Sequence, residues 1–117
     1  MRVLIVVDMQ NDFITGSLGS PEAQAIVPVM TERLREYEDG NTLVLFTKDT
    51  HYSDYLITQE GNNLPVEHCI KGTPGWSIVK DISSLVDHGN FMTYSAKDSI
   101  KGRVCKESFG SIRLAEI

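Results

Sequence analysis

Two uninterrupted apolar runs, RVLIVVD at 2–8 and NTLVLFTKD at 41–49, constrain the fold of this 117-residue chain most strongly. Neither run alternates apolar and polar residues, which is typical of parallel strands that are buried on both faces. Between them, 20–39 has apolar residues at helical spacing, with Ser20 as a predicted N-cap and Pro21 at the first helical position. Strand, helix and strand in this order predict an α/β fold with a parallel sheet.

The rest of the chain continues the same rhythm. Gly40 is a predicted helix stop, and Pro28 predicts a delayed start or a kink in the preceding helix. A long loop of little periodicity covers 50–75, a short strand or helix falls within 75–86, a third strand within 102–109, and another helix within 110–117. We therefore predict one domain over 1–117, a doubly wound, Rossmann-like parallel sheet with helices on both faces.

Composition excludes several classes of partner. The net charge is −5 and no basic patch is present, which argues against binding to nucleic acid or to an anionic membrane surface. No apolar run is long enough to span a bilayer, and the N-terminal run indicates a strand rather than a signal peptide. Two cysteines in an acidic chain are more often reduced thiols than a disulfide, so the cytoplasm is the expected compartment.

Polar residues follow each predicted strand at the end where parallel sheets place their sites. Asp8 ends the first strand, Asp49 and His51 end the second, and Lys106 ends the third. Asp8 is either a loop aspartate that caps a backbone N–H or an acid or base in a reaction. Lys106 is either a solvated surface lysine or a fixed positive charge that stabilises a thiolate or an oxyanion.

Four side chains between 49 and 68 suggest a metal site. Asp49 and His51 are two residues apart, so an extended backbone directs both to one side, and Glu60 and His68 could fold back over them from the loop. Carboxylate and imidazole ligands suit Zn, Mn or Fe. The alternative is that these polar loop residues cluster by chance. His88 has no comparable residues near it in the sequence and is expected at the surface. Phe13 and Trp76 either wall a pocket or pack in the core.

Four segments together resemble the isochorismatase-like cysteine hydrolases, and most closely the nicotinamidases: VVDMQNDFITGSL, TKDTH, TQEGNNLPVEHCIKGTPGW and CKESFGS. The resemblance covers nearly the whole chain. It implies that Asp8 and Lys106 are catalytic. It further implies two sets of residues. The implied metal ligands are Asp49, His51, Glu60 and His68. The implied substrate pocket contains Phe13, Leu18 and Trp76.

The activity that the resemblance implies is hydrolysis of nicotinamide, or of a similar small heteroaromatic amide, to the acid and ammonia through a thioester. The expected cofactor is a divalent metal, with zinc favoured over manganese or iron. The resemblance implies that this metal holds the pyridine nitrogen and orients the ring. The family's nucleophilic cysteine lies beyond the position of Ile117, and neither Cys69 nor Cys105 matches it. The expected chain is thus the N-terminal part of the domain, truncated after the third strand, with no nucleophile of its own.

Two alternatives to this function stay open. One is a relative with another substrate, such as isochorismate or an N-carbamoyl compound. The other is a non-catalytic fragment or subunit that binds a partner by completing a sheet. In a doubly wound sheet the first strand is central, so its second side would need a partner strand. We expect a homo-oligomer, or completion by a second polypeptide segment.

Overall fold

The computed structural model describes residues 2–92 with their side chains and the backbone of 103–107. Two short 3-10 helices, Tyr55–Ile57 and Pro74–Trp76, interrupt the loops. The remaining elements are, in chain order, β1 (Arg2–Val7), α1 (Asn11–Ile14), α2 (Pro21–Arg35), β2 (Thr42–Thr50), α3 (Gln59–Asn63), α4 (Lys80–His88) and β3 (Arg103–Glu107).

The three strands form one parallel sheet in the order β1-β2-β3. The register pairs Val7 with Thr47 and Asp49 with Lys106, so the three strands end at the same edge of the sheet. This arrangement confirms the predicted α/β fold. Within the described residues β1 pairs with β2 alone, so its other side has no strand beside it there.

Helix α2 begins where the sequence predicts it and ends earlier. Ser20 Oγ accepts a hydrogen bond from the Ala23 N–H at 3.0 Å, and Pro21 is the first helical residue. Pro28 lies inside the helix, so the delayed start is wrong.

The predicted stop of α2 at Gly40 is also wrong, because the helix ends at Arg35. The N–H groups of Glu36 and Tyr37 bond to carbonyls three residues back, which tightens the last turn and terminates the helix. Gly40, at φ 71°, instead serves the turn into β2 and donates its N–H to the Asn90 carbonyl at 2.8 Å.

The main core lies between one face of the sheet and the helices α2 and α4. It contains side chains from β1, β2 and both helices, namely Val6, Val44, Phe46, Val27, Leu34 and Ile82, together with Met9, Ile14 and Ile78. All nine residues of β2 are buried. On the opposite face of β1, Val3, Ile5 and Val7 are 50, 47 and 62 % exposed.

The segment predicted as a long loop leaves β2 and returns to it, and backbone hydrogen bonds join its two ends. The His51 N–H donates to the Cys69 carbonyl at 2.9 Å, and the Lys71 N–H donates to the His51 carbonyl at 2.8 Å. These two bonds extend β2 by one residue and close the loop at its base. The segment 75–86 contains the start of helix α4, whereas the helix predicted over 110–117 lies outside the described residues.

No helix in the described part of the chain is both long enough and apolar enough to cross a membrane.

Candidate metal centre and active site

Three buried side chains meet at the end of β2. Asp49 Oδ2 lies 2.9 Å from His51 Nε2 and 3.3 Å from His68 Nε2. One carboxylate oxygen and two ring nitrogens all lie within 4.8 Å of one another. The pleat of β2 directs Asp49 and His51 to one side of the strand. The bridge between His51 and Ile70 brings His68 beside them. The sequence-based expectation that Asp49, His51 and His68 share one place is therefore met by their positions.

The chemistry of these atoms fits a cation. His68 Nδ1 lies 2.7 Å from the Val66 carbonyl oxygen, which can only accept, so Nδ1 carries the proton. In the neutral ring Nε2 then presents a lone pair toward Asp49 Oδ2, and two acceptors face each other. Asp49, His51 and His68 could hold a divalent ion, which would relieve that repulsion, since a carboxylate with two imidazoles is a ligand set for Zn, Mn or Fe.

Aromatic rings enclose the two imidazoles. Tyr55 is fully buried, and its ring contacts His51 and His68 edge-on at centroid distances of 4.8 and 5.1 Å. The Tyr55 hydroxyl donates to the Leu64 carbonyl at 2.8 Å. Burial raises the pKa of Tyr55, and the nearby carboxylates of Glu60 and Asp49 raise it further, so its hydroxyl stays protonated. Tyr55 therefore fixes the ring planes of both histidines.

Glu60 lies at the rim of this cluster. Its Oε2 is 3.7 Å from His51 Nδ1, and its side chain is 40 % exposed. His51 Nδ1 is buried and has no hydrogen-bond partner among the described residues. The carboxylate of Glu60 is thus the group positioned to approach the cluster from solvent, and its role as a ligand stays a prediction.

Asp8 follows β1 in a left-handed conformation, with φ 52°. This unusual backbone turns its side chain back toward β2, where Thr47 Oγ1 donates to Asp8 Oδ1 at 2.7 Å. The same hydroxyl oxygen accepts the Asp8 N–H at 3.0 Å. Asp8 is therefore held at the edge of the sheet that carries Asp49, two residues along β2 from Thr47.

Lys106 is paired in the backbone register with Asp49, so β3 brings its Cα to the same edge. Cys105 pairs in the same way with Lys48. Cys69 follows His68, is fully buried and has φ 51°. Its place is thus in the turn that holds His68.

The three predicted pocket residues lie in different surroundings. The Phe13 ring is 5.6 Å from the His68 ring, next to the metal cluster. Leu18 lies in the loop that follows α1, and its N–H donates to the Asp12 carbonyl.

Trp76 contacts the face of β2 opposite to Asp49. Its Nε1–H donates to Thr50 Oγ1, and Lys48 Nζ lies 3.1 Å from the ring centroid. Lys48 and Thr50 alternate along β2 with Thr47 and Asp49, so the described contacts of Trp76 connect it to the face opposite to Asp49.

Sequence reasoning missed three residues that support the site. Gln10 is fully buried, and its side-chain amide bonds to both the N–H and the carbonyl of Asp49. Thr47 holds Asp8, and its position two residues before Asp49 was the available signal, because it faces the same side of β2.

Asp12 is a third missed residue. Its Oδ2 accepts the Cys69 N–H at 2.8 Å, directly after His68. A Cβ at Gly75 would lie 2.1 Å from Asp12 Oδ2, and one at Gly16 would lie 2.2 Å from Oδ1. Glycine at both positions therefore lets the carboxylate reach the turn.

Residues 2–96 match the family described as Isochorismatase domain. Among characterised relatives, the nicotinamidase of Saccharomyces cerevisiae is 32 % identical over 113 residues, which cover 74 % of this chain and 52 % of the relative. The nicotinamidase/pyrazinamidase of Mycobacterium tuberculosis is 37 % identical over 79 residues, covering 64 % of this chain and 42 % of the relative. The chain thus spans about half the length of these relatives.

Among solved structures, the pyrazinamidase of Pyrococcus horikoshii in complex with zinc is similar with a TM-score of 0.62 and 28 % identity. The similarity covers 98 % of this chain and 62 % of that one. The sheet, the metal cluster and the family match lead to the same result: this chain belongs to the isochorismatase family, and its named relatives are nicotinamidases.

Proposed function

We propose that this chain carries the metal-binding and proton-accepting part of a cysteine amidohydrolase that acts on nicotinamide or a similar small heteroaromatic amide. The observation that supports it most directly is the convergence of Asp49, His51 and His68 at the strand edge that also holds Asp8. The relatives named nicotinamidase and the zinc complex of a similar pyrazinamidase point to the same substrate class and cofactor. Such an activity would belong to NAD metabolism, in the cytoplasm.

The proposed roles follow from position. Asp49, His51 and His68 hold a divalent ion, zinc in preference to manganese or iron, with Glu60 as the fourth protein ligand. When bound, the ion supplies a Lewis-acid contact for a ring nitrogen and so orients the ring. Phe13, Leu18 and Trp76 are the proposed pocket residues, of which Phe13 lies against His68.

The proposed reaction uses a thiol. Asp8 accepts the thiol proton, and Lys106 stabilises the resulting negative charge. The thiolate attacks the amide carbonyl, ammonia leaves with the proton that Asp8 held, and water hydrolyses the thioester to the acid. The family's thiol position has no counterpart in Cys69 or Cys105, so we propose that the thiol comes from another polypeptide segment.

Metal content tests the ligand assignment. The purified chain is loaded with zinc, dialysed and measured by elemental analysis, beside the variants His51→Ala and His88→Ala. His88 is the matched control, because it is an exposed histidine that contacts Ser84 on α4. We expect about one zinc per chain in the parent and in His88→Ala, and none in His51→Ala. Full zinc occupancy in His51→Ala would contradict the ligand assignment.

Substrate class is tested with two ligands that differ by one ring atom. Nicotinamide and benzamide are titrated into the zinc-loaded chain and followed by ligand-observed NMR. We expect zinc-dependent binding of nicotinamide and much weaker binding of benzamide, which lacks the ring nitrogen. Equal binding of both would remove the heteroaromatic amide from the proposal. Ammonia release that survives replacement of both cysteines by alanine, with no other protein present, would refute the cysteine mechanism.

A second candidate is supported by the outer edge of β1. Within the described residues β1 pairs with β2 alone, which suits a non-catalytic subunit that completes a sheet with a partner. Size-exclusion chromatography separates the two cases: a monomer without any partner would contradict this candidate. A family relative with another substrate, such as an N-carbamoyl compound, would show itself by the absence of bound metal.

A further inference from the structure

The side chain of Gln10 bonds to one peptide unit on each side of Asp49. Gln10 Nε2 donates to the Asp49 carbonyl at 2.8 Å, and Oε1 accepts the Asp49 N–H at 2.8 Å. The amide therefore pairs with β2 as a further strand residue would, at a point where β1 has already ended at Val7. Both bonds are buried, so the orientation of Asp49 depends on them.

The second N–H of the same amide reaches a different segment. Gln10 Nε2 also donates to the Trp76 carbonyl at 2.8 Å. Both donors and the acceptor of the side chain are thus used, and Gln10 is 0 % exposed. The backbone of Gln10 joins the same segment through a bridge with Ile78. One glutamine consequently links the end of β1, the ligand-bearing end of β2 and the 74–78 turn.

We infer that Gln10 is a positioning residue for the metal centre: its amide fixes the peptide of Asp49, and thereby directs Oδ2 toward His51 and His68. This inference rests on the proposed function, since it assumes that Asp49 binds the ion. Metal ligands depend on outer hydrogen bonds for their orientation, and loss of such partners typically weakens metal binding. A rotation of the Asp49 peptide would move the carboxylate out of the shared position.

The test uses Co²⁺ and Zn²⁺ with the full chain and two matched variants. Gln10→Glu keeps the size of the side chain and the acceptor for the Asp49 N–H, but it removes both donors. Asn11→Ala removes the amide bond from the adjacent residue to the Pro74 carbonyl, which is in the same turn, and leaves Asp49 untouched. Titrations are carried out well below the melting midpoint of each variant.

We expect Gln10→Glu to bind both ions about 10- to 100-fold more weakly than the parent chain. Its Co²⁺ absorption bands should also differ from those of the parent, because the ligand geometry changes. Asn11→Ala should match the parent in affinity and spectrum. A purely structural amide would lower the melting midpoint and leave the cobalt spectrum unchanged, and that result would overturn the inference.

Two further outcomes are distinguishable. If the parent chain binds neither ion, the proposed metal site itself fails. If Gln10→Glu does not fold, the parent chain still decides: on addition of Zn²⁺ the side-chain NH₂ resonances of Gln10 should shift, because one donor is bonded to the Asp49 carbonyl. The NH₂ resonances of Asn11 should shift much less. Unmoved Gln10 resonances in a zinc-binding chain would contradict the inference.

Discussion

β1 and β2 are neighbouring parallel strands with similar apolar runs, yet their surroundings differ. All nine residues of β2 are buried, whereas Val3, Ile5 and Val7 of β1 are about half exposed. β2 has a hydrogen-bonded strand on each side, and β1 has one on a single side within the described residues. An apolar run therefore indicates a strand of a parallel sheet, but it does not tell where in the sheet that strand lies.

The same difference separates the two aspartates that follow these runs. Asp49, on the strand with two neighbours, is 7 % exposed and has its peptide bonded to Gln10. Asp8, on the strand with one neighbour, is more accessible and is bonded to Thr47. A buried carboxylate needs partners on every side, so the enclosed strand holds the proposed ligand and the outer strand holds the proposed proton acceptor.

Hydrogen exchange should show the largest contrast between the strands. The N–H groups of Arg2 and Asp8 donate to the carbonyls of Asn41 and Thr47, on the side of β1 that faces β2. Every second residue of a strand directs its N–H group to the same side, so the N–H groups of Leu4 and Val6 face β2 as well. Those of Val3, Ile5 and Val7 face the outer edge. We expect them to exchange at least ~100-fold faster than the amides of β2, measured residue by residue by NMR. Equal protection would mean that another strand pairs with β1 in solution.

Substitution of valine by threonine in each strand sharpens the comparison. Val44 is 2 % exposed and lies in the core, so Val44→Thr buries a hydroxyl and should lower the free energy of unfolding by about 1–3 kcal/mol. Val7 is 62 % exposed, and Val7→Thr should change it by about 0.5 kcal/mol or less. Urea denaturation measures both. A loss at Val7 as large as that at Val44 would show that the outer face of β1 is covered.

The smallest effect that we expect is a loss of folding stability at low pH. It depends on a contact at the start of the two strands. The Asp39 carboxylate pairs with Arg2 of β1 and accepts the Asn41 N–H just before β2. The backbone N–H of Asn41 and then the Arg2 side chain lower the pKa of Asp39 from 3.8 to about 2. Because the pKa of Asp39 is lower in the folded state than in the unfolded chain, its ionised carboxylate stabilises the fold at pH values above 3.8. This stabilisation is lost as the pH falls through about 2.

Asp39→Asn should accordingly lower the urea midpoint slightly near neutral pH. The difference from the parent should shrink as the pH falls from about 4 toward 2, because the parent carboxylate becomes protonated there. A difference that stays constant across this range would mean that the charge of Asp39 does not join the two strands.

Local patterns predicted the strands, the start of α2 and the meeting of Asp49, His51 and His68. They could not predict Gln10 as a supporting residue, because its role depends on how the end of β1 lies beside β2. The end of α2 was missed for a related reason: backbone bonds from Glu36 and Tyr37, rather than the glycine, terminate the helix.

The pocket role of Trp76 stays a prediction, and its described contacts lie on one side of β2. Trp76 follows a turn that resembles the family pattern, which predicts a pocket residue. Its side chain contacts Lys48 and Thr50, which the pleat of β2 directs away from Asp49. A motif gives the position of a residue along the chain, but the pleat of its neighbour determines which side of the sheet it contacts.

The two backbone bonds between His51 and 69–71 have a consequence for how this protein can vary. They fasten the base of the 52–67 excursion independently of its length, and the closure entropy of a loop grows only slowly with added residues. Asn62 and Asn63 are exposed and lie beyond the Tyr55 ring along the chain. Extra residues grafted after Asn63 should therefore leave these two backbone bonds in place, which makes this stretch the natural point for remodelling the mouth of the site.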